Sequence, residues 1–588
     1  MYLSVLQNEV RNVGCIIRPM TQKLSSEKLM ATLLQSIDPG LIADEGVRQT
    51  VEVLLNLVEQ LNSKVKQLEE ENQKLRDENN RLKGELGKPD IKASKKRELK
   101  KDHSSEKERK TPQEHSKTSK KETIKVDREE IVFYPHEELP ADAEFKGYEE
   151  VIVQDILLKT DNVLFRKEKY YSPSLGKTFT APLTKGYEGE FGPALKALVI
   201  SLYYGGNMTQ GKLREFLSDI GISVSAGYLS NLLTKNQSGF EEEYNEVYSE
   251  GLASSPWQHF DQTGARVGGL NQTTNIICTP LYTVYRTTPN KDRLSVLKVL
   301  LNTTELKFVF NSRTYDLLQV LNLPSKWKNR LKLLPQETAL TEIELNKLLD
   351  KHLVNLNPIS STRIQEAAAI AFYHQQSTHR VIKTLISDDA PQFKLLTDEL
   401  ALCWVHEGRH YKKLSPYIAY HQKILDNFLD RFWKFYRKLL AYRDAPTQEQ
   451  ANQLRSEFWT LFREKTGYEE LDERKRLTIA KQQELLLVLE HPELPLHNNP
   501  AELAARTMVL RRKISYSTQT WMGTKSWDIF MSLVDTTRKL GISFFEYISD
   551  RTSKAGRIPP LATIIRSEAS VSSFSWSWSE ESLPTPNY

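Results

Sequence analysis

Trp257-Gln-His-Phe-Asp-Gln-Thr-Gly264 is the stretch from which the rest of this sequence can be organised. It reads as a strand, Trp257–Asp261, that ends on an acid. A second acid closes the strand-like run Val381-Ile-Lys-Thr-Leu-Ile-Ser-Asp388. A third, Glu502, lies in His497-Asn-Asn-Pro-Ala-Glu-Leu-Ala-Ala-Arg506, where Pro500 opens a helix at the turn in which a missing N–H costs least. Two strand ends and one helix can bring carboxylates together in a mixed α/β core. Carboxylates are the hard oxygen ligands that Mg²⁺ prefers, and two such ions can clamp the attacking and leaving oxygens of a phosphoryl displacement.

Working outward, Thr273–Thr279 and Leu281–Thr287 read as strands of a hairpin around Pro280. Residues 290–379 are largely helical, Val381–Ser387 is a buried-type strand and Leu400–Val405 a short one. Residues 410–490 are helical, and Phe428, Phe432, Trp433, Phe435 and Tyr436 are candidate core. A last helix, Ser526–Leu540, ends at Gly541. The tail from Ala569 is rich in Ser and Trp and is expected to be disordered.

Towards the N-terminus, Leu54, Leu61, Leu68, Leu75 and Leu82 recur every seven residues. Val51, Val58, Val65, Asn72, Asn79 and Leu86 fill the other seam position, so a parallel two-stranded coiled coil is expected over 51–86. The pairs Lys64–Glu69, Glu71–Arg76 and Glu78–Lys83 agree with it; a single solvated amphipathic helix is the other reading. Lys88–Lys125 has almost nothing apolar and cannot fold alone. It is a solvated linker, or a tether that touches phosphates through Lys95, Lys96, Arg97, Lys100 and Lys101. Residues 130–182 alternate as in a small β module. Ala194–Tyr204, Thr209–Asp219 and Val224–Lys235 then read as three helices, broken by Gly221 and capped by Ser223 or Ser225. Helix, Gly-containing turn, helix suits a helix-turn-helix that would present Tyr228, Asn231 and Lys235 to a DNA groove, or a plain three-helix bundle.

The 588 residues allow several domains. A net charge of +5 is compatible with nucleic acid without demonstrating it. Cys15, Cys278 and Cys403 are far apart, which argues against a disulfide framework or a Cys-pair zinc finger. No apolar run reaches membrane-spanning length and no signal-peptide layout opens the chain, so an intracellular protein is expected.

From the coil to Ile548 the chain resembles a transposase of the insertion-sequence-66 family. The likeness rests on Leu75–Gly87, Gly189-Glu-Phe-Gly-Pro193, His259–Gly264, Ser387-Asp388 with Phe393 beyond it, Cys403-Trp-Val-His406 with Arg409, and Asn498-Asn-Pro-Ala-Glu502 with Arg506. The chain departs from the family in lacking Cys in 130–182, in Gln262 and Asp389, and in extra length around 305–365. The resemblance implies a ribonuclease-H-like catalytic core with an Asp-Asp-Glu site. Asp261, Asp388 and Glu502 would hold two Mg²⁺ (or Mn²⁺) ions. Water would free a 3′-hydroxyl that then attacks target DNA. Asp389 is the rival of Asp388. Arg506 would hold a phosphate or pair with Glu502, and His406 and Arg409 would lie near DNA or be structural. Partners would be double-stranded DNA, as terminal inverted repeats and target, and a second copy joined through the coil. A non-catalytic DNA-binding descendant and a nuclease without strand transfer remain as alternatives.

The expected plan is thus an N-terminal segment 1–45, coiled coil 46–87, charged linker 88–128, small β module 129–185 and helix-turn-helix-like segment 186–250. The catalytic core follows over 254–409, then a helical insertion domain 410–492, the rest of the core with the Glu helix 493–550, and a disordered tail 551–588.

Overall fold

In the computed structural model, the described residues are 32–82, 126–133, 135, 140, 143–235, 237–377 and 380–571. The expectations for residues 1–31, for most of the linker with its Lys95, Lys96, Arg97, Lys100 and Lys101, for the end of the coil and for 572–588 fall outside them. The protein is mixed α/β and mostly helical. It divides into two compact units, residues 1–105 with 404–489, and residues 106–403 with 490–588.

In the second unit the chain enters through strands β1 (Lys169–Ser172) and β2 (Lys177–Thr180), which among the described residues pair only with each other. They are the only regular structure among the described residues of 129–185, less than the β module expected there. Helices follow over Pro193–Ile200, Gln210–Asp219 and Ala226–Thr234, with a π-helical turn at Ser201–Gly205. Thr209 caps the second by accepting from the Lys212 N–H, and Ser225 caps the third by accepting from the Tyr228 N–H. Gly221, at φ +82°, makes the turn between them in a region that disfavours side chains.

The centre of this unit is a five-stranded sheet. β3 (Trp257–Val267), β4 (Leu270–Cys278) and β5 (Thr283–Thr288) form an antiparallel meander. A short pair, β6 (Lys307–Phe308) and β7 (Leu340–Thr341), sits among the helices of 293–375. β8 (Thr384–Ser387) and β9 (Glu399–Leu402) complete the main sheet in parallel with β3, giving the order β5-β4-β3-β8-β9. β3 does not stop at Asp261 as the sequence suggests. It runs six residues further because β4 pairs along its whole length, from His259↔Cys278 to Val267↔Leu270. Gly268 and Gly269, both at positive φ, close the hairpin. β9, by contrast, ends earlier than read: it stops at Leu402, and Trp404 already begins a helix.

β5 is an edge strand whose outward N–H groups are covered by side chains of the helix Trp521–Lys539. Thr283 N donates to Thr536 Oγ1 (3.2 Å), Tyr285 N to Ser532 Oγ (2.9 Å) and Thr287 N to Asp528 Oδ2 (2.7 Å). The rungs repeat every second residue on the strand and every fourth on the helix, the two natural periods of side-chain direction. An exposed edge would be a template for another chain; here it is closed internally.

Within the expected disordered tail, the described residues 551–571 are folded. Helices Phe544–Ser553 and Leu561–Val571 continue the fold, with Leu561, Ala562 and Ile565 buried. Glu243 ties them down: its carboxylate accepts from Tyr547 Oη (2.7 Å), Arg551 Nε and Nη2 (both 2.9 Å) and the Leu561 N–H (3.1 Å).

The other unit joins the N-terminal helix Glu45–Leu82 to the helices of 404–489, which the sequence treats as separate domains. Trp404 packs among Phe432, Phe435 and Phe458, with centroids 5.5–6.3 Å apart, and its Nε1 donates to Leu485 O. Truncating such a ring costs about 3–5 kcal/mol. Leu55 and Glu59 of the N-terminal helix are buried at 3% and 5% exposure. Asn56 Nδ2 donates to Gly467 O and Gln60 Nε2 to Glu469 Oε2. Leu54, Leu61, Leu68 and Leu75, the heptad leucines, stay 55–63% exposed. The docked stripe is therefore not the leucine seam but the face behind it.

Candidate functional site

Asp261 lies in the middle of β3, opposite Ile276 of β4, which in turn faces Tyr285 of β5. Directly paired residues point to the same face of a sheet. Tyr285 Oη donates to Ala504 O (2.9 Å), in the helix Asn499–Ser515 that carries Glu502. The Glu502 helix thus lies on the face of the sheet to which Asp261 belongs. Glu502 is in the first turn, after Pro500, and is 9% exposed. A carboxylate there also suits the positive end of the helix dipole.

Asp388 immediately follows β8. Its Oδ1 accepts from the Ala390 N–H (3.2 Å), a local Asx-type bond that shapes the turn. β8 pairs in parallel with β3 as Trp257↔Thr384, Gln258↔Leu385 and His259↔Ile386. That pairing ends at His259↔Ile386, two residues before Asp261 on one side and two before Asp388 on the other. The rival Asp389 pairs instead with Lys394 Nζ (2.9 Å). Gln262 has a bridging part: its Nε2 donates to Asn275 Oδ1 and its Oε1 accepts from Gln392 Nε2, both across the sheet or to the turn beyond Asp388.

A residue absent from the expected site set holds these pieces together. Asn498 is the N-cap of the Glu502 helix, yet its side chain makes no capping bond. It turns sideways. Its Nδ2 donates to Phe260 O (2.8 Å), next to Asp261, and its Oδ1 accepts from His259 Nδ1 (2.9 Å). Its backbone N–H reaches Cys403 Sγ (3.2 Å), while the Cys403 N–H donates to Ser387 O (3.1 Å), next to Asp388. Cys403 Sγ and a Glu502 carboxylate oxygen come within 4.8 Å. His259 and Asn498 are 0% and Cys403 3% exposed. Burial, reinforced by the nearby His497, pushes the His259 imidazole down to about 3, so it is neutral and Nδ1 carries the proton that Asn498 accepts. The signal in the sequence was the pair of amides before Pro500: a helix start with two candidate caps has one to spare.

Arg506 is exposed one turn beyond Glu502. His406 and Arg409 lie on Trp404–Lys412, in the other unit, with Arg409 Nη1 3.3 Å from His406 Nε2. On Ala226–Thr234 and its end, Asn231 and Lys235 are exposed, whereas the Tyr228 ring leans on Phe191 (centroids 4.5 Å) and is half-buried. Among the described residues no helix is long and apolar enough to cross a membrane.

Residues 369–526 match the family model described as "Transposase IS66 family". That span contains Asp388, Cys403, Glu502 and Arg506, and leaves Asp261 outside. The chain is also similar to the uncharacterized protein y4jO of Sinorhizobium fredii (strain NBRC 101917 / NGR234), with 30% identity over 322 residues, 54% of this chain and 99% of that protein.

Proposed function

Because this chain belongs to the IS66 transposase family, we propose that it cuts and rejoins DNA at a site made by Asp261, Asp388 and Glu502. The observation that carries the proposal is the junction at Asn498, which links the helix of Glu502 to the residues flanking Asp261 and Asp388. The sheet supports a ribonuclease-H-like reading: three antiparallel strands followed by two parallel ones, with one acid on the first strand and another just after the fourth, in chain order of that sheet.

The reaction begins with water attacking a phosphodiester and displacing a 3′-oxygen. The freed 3′-hydroxyl then attacks a phosphodiester of target DNA, again exchanging one P–O bond for another. Three carboxylates from separate elements suit divalent cations such as Mg²⁺ or Mn²⁺, because they offer hard oxygen donors. When bound, such ions lower the pKa of coordinated water and neutralise charge at the phosphate. The neutral His259 and the Asn498 amide hold β3 against the Glu502 helix, so the acids are set before DNA arrives. Arg506, exposed one turn on, offers a fork of donors to a phosphate. Asn231 and Lys235 present polar groups from the second helix of the helix-turn-helix-like segment, and Tyr228 supports that helix through Phe191.

Dimerisation through the seam belongs to the same proposal. Leu54, Leu61, Leu68 and Leu75 are exposed along one side of Glu45–Leu82, while Leu55, Asn56 and Glu59 use the opposite side for their own unit. A partner coil can therefore cover the leucines without displacing that contact. The test is an assay of cleavage and joining on DNA carrying the element's own ends, with Mg²⁺ or Mn²⁺. Metal-dependent nicks and joined product are expected. Binding without cleavage points to a non-catalytic DNA-binding protein, and cleavage without joining to a nuclease.

A further inference from the structure

The β1–β2 pair is a ribbon with no third strand among the described residues, and seven of its eight residues are exposed. Two short strands alone are marginal in water. This pair nonetheless displays Tyr170, Tyr171 and Phe179 at 64%, 65% and 45% exposure. The register Tyr170↔Phe179 places two of those rings side by side on one face. Lys177 Nζ lies 5.5 Å from the Phe179 centroid. The ribbon's base is anchored: Ala181 N donates to Glu168 O, and Phe165 meets Tyr187 edge-on at 5.0 Å.

Charge reverses as the chain enters the ribbon. Residues 126–158 hold ten acidic and two basic side chains. Residues 159–185 hold six basic ones, Lys159, Arg166, Lys167, Lys169, Lys177 and Lys185, against Asp161 and Glu168. The cations of the acidic stretch are paired, Arg128 with Glu130 and Lys146 with Glu144. Positive charge on the ribbon and its flanks thus accompanies its exposed aromatic surface, while the region before it is of opposite sign.

We propose that the β1–β2 ribbon is a DNA-contacting surface additional to the helix-turn-helix-like segment, set into a groove of duplex DNA. The major groove admits a two-stranded ribbon, and ribbon readers are one of the general docking geometries. Lys167, Lys169 and Lys177 meet phosphates, and the Tyr170–Phe179 face lies against sugars and base edges. This rests on the DNA reading of the family and not on the cleavage chemistry.

The test uses the full chain and a fluorescent duplex, with affinity measured across a salt series. Each phosphate neutralised contributes about 0.9 to the slope of log K against log salt. The variant Lys167→Ala/Lys169→Ala/Lys177→Ala is expected to lower that slope by about 2–3 and to weaken binding at least about tenfold at fixed low salt. Its melting temperature should match the parent's, since these side chains are exposed. An unchanged slope and affinity in the folded variant overturn the proposal, as does a parent protein that binds no duplex. Asp261→Asn separates this from the catalytic reading. Lost cleavage there, with an unaltered salt slope in the lysine variant, rejects the ribbon and keeps the active site; the opposite pattern does the reverse.

Discussion

His259, Asn498 and Cys403 are at most 3% exposed and are joined by directed hydrogen bonds, whereas the ribbon 169–180 leaves its aromatics about half to two-thirds open to solvent. Both regions belong to the same unit. The first fixes positions: moving one amide disturbs the strand beside Asp261, the residue after β9 and the start of the Glu502 helix together. The second fixes nothing beyond its own base, and its side chains are free to adjust to an irregular surface. On the proposed reading, the task that needs precise placement would fall to buried polar atoms, and the task that needs charge to exposed ones.

The widest gap between the two should come from Asp261→Asn. Metal-dependent nicking of end DNA is expected to fall about 10⁴-fold or more, the scale of losing one member of a catalytic unit. Lys169→Ala should leave nicking at saturating DNA within a few-fold. Equal activity in Asp261→Asn would remove the assigned site. The leucine seam is an intermediate case, exposed like the ribbon but patterned like a core. Leu61→Asp/Leu68→Asp removes two side chains each worth about 1.5–3 kcal/mol when buried. Sedimentation equilibrium should then show a dimer constant weakened about 10²-fold or more; an unshifted mass would leave the seam without its partner.

Asn498→Leu tests the junction itself. It strands the Phe260 carbonyl and the His259 Nδ1–H, so stability should drop by about 1–3 kcal/mol. Loss of an orienting partner also typically costs 10–100-fold in metal affinity. Mn²⁺ titration by electron paramagnetic resonance would read the second effect, and an unchanged salt slope for DNA would keep the comparison with the ribbon sharp. A variant that loses stability but binds Mn²⁺ as the parent does would reduce Asn498 to packing.

The smallest effect concerns pH. Burial pushes the Asp528 carboxyl up to about 7, against the pull of its bonds from Thr287. Between its ordinary value of 3.8 and about 7 the folded chain holds a proton that the unfolded chain has released. Stability therefore declines as pH rises through that window. Asp528→Asn should flatten the decline in urea melts, with Asp535, shifted up by burial in the same direction, leaving a residual slope. A slope as steep as the parent's would assign it elsewhere.

The sequence exposed the acids because each has a local signature: a strand-like run before Asp388, a proline before Glu502. It misjudged β3, since Thr263–Val267 is small and polar and reads as loop, although Gly268-Gly269 marked the hairpin five residues later. The cover over β5 was invisible for another reason. Asp528, Ser532 and Thr536 show as a polar stripe at helical spacing, but their partners lie 241–253 residues away. The N-terminal helix carries two stripes, and the heptad leucines masked the weaker one through Leu55 and Glu59. The charge-rich ribbon was folded into a larger module because alternation alone extends from 130 to 182, while paired strands form only where Gly176 and its neighbours permit a turn.

The helix Ala419–Asp444 begins at Ile418, which offers it no side-chain cap. Glu59 supplies one from the far end of the sequence: its carboxylate accepts from the Tyr417 N–H (2.9 and 3.0 Å) and the Ile418 N–H (2.8 Å), with His421 Nδ1 at 3.3 Å, while Gln35 Oε1 accepts from the Ala419 N–H (2.8 Å). Burial raises the Glu59 carboxyl, yet His421 and the two backbone donors outweigh it, so the group is held below its ordinary value and stays charged at neutral pH. Some 358 residues separate the two halves of this cap. During synthesis the first helix must wait, with Leu55 and Glu59 uncovered, until the ribosome has delivered the last third of the chain. A gene copy interrupted before that point would release a product whose opening helix has lost the seat that Tyr417, Ile418 and Gly467 provide.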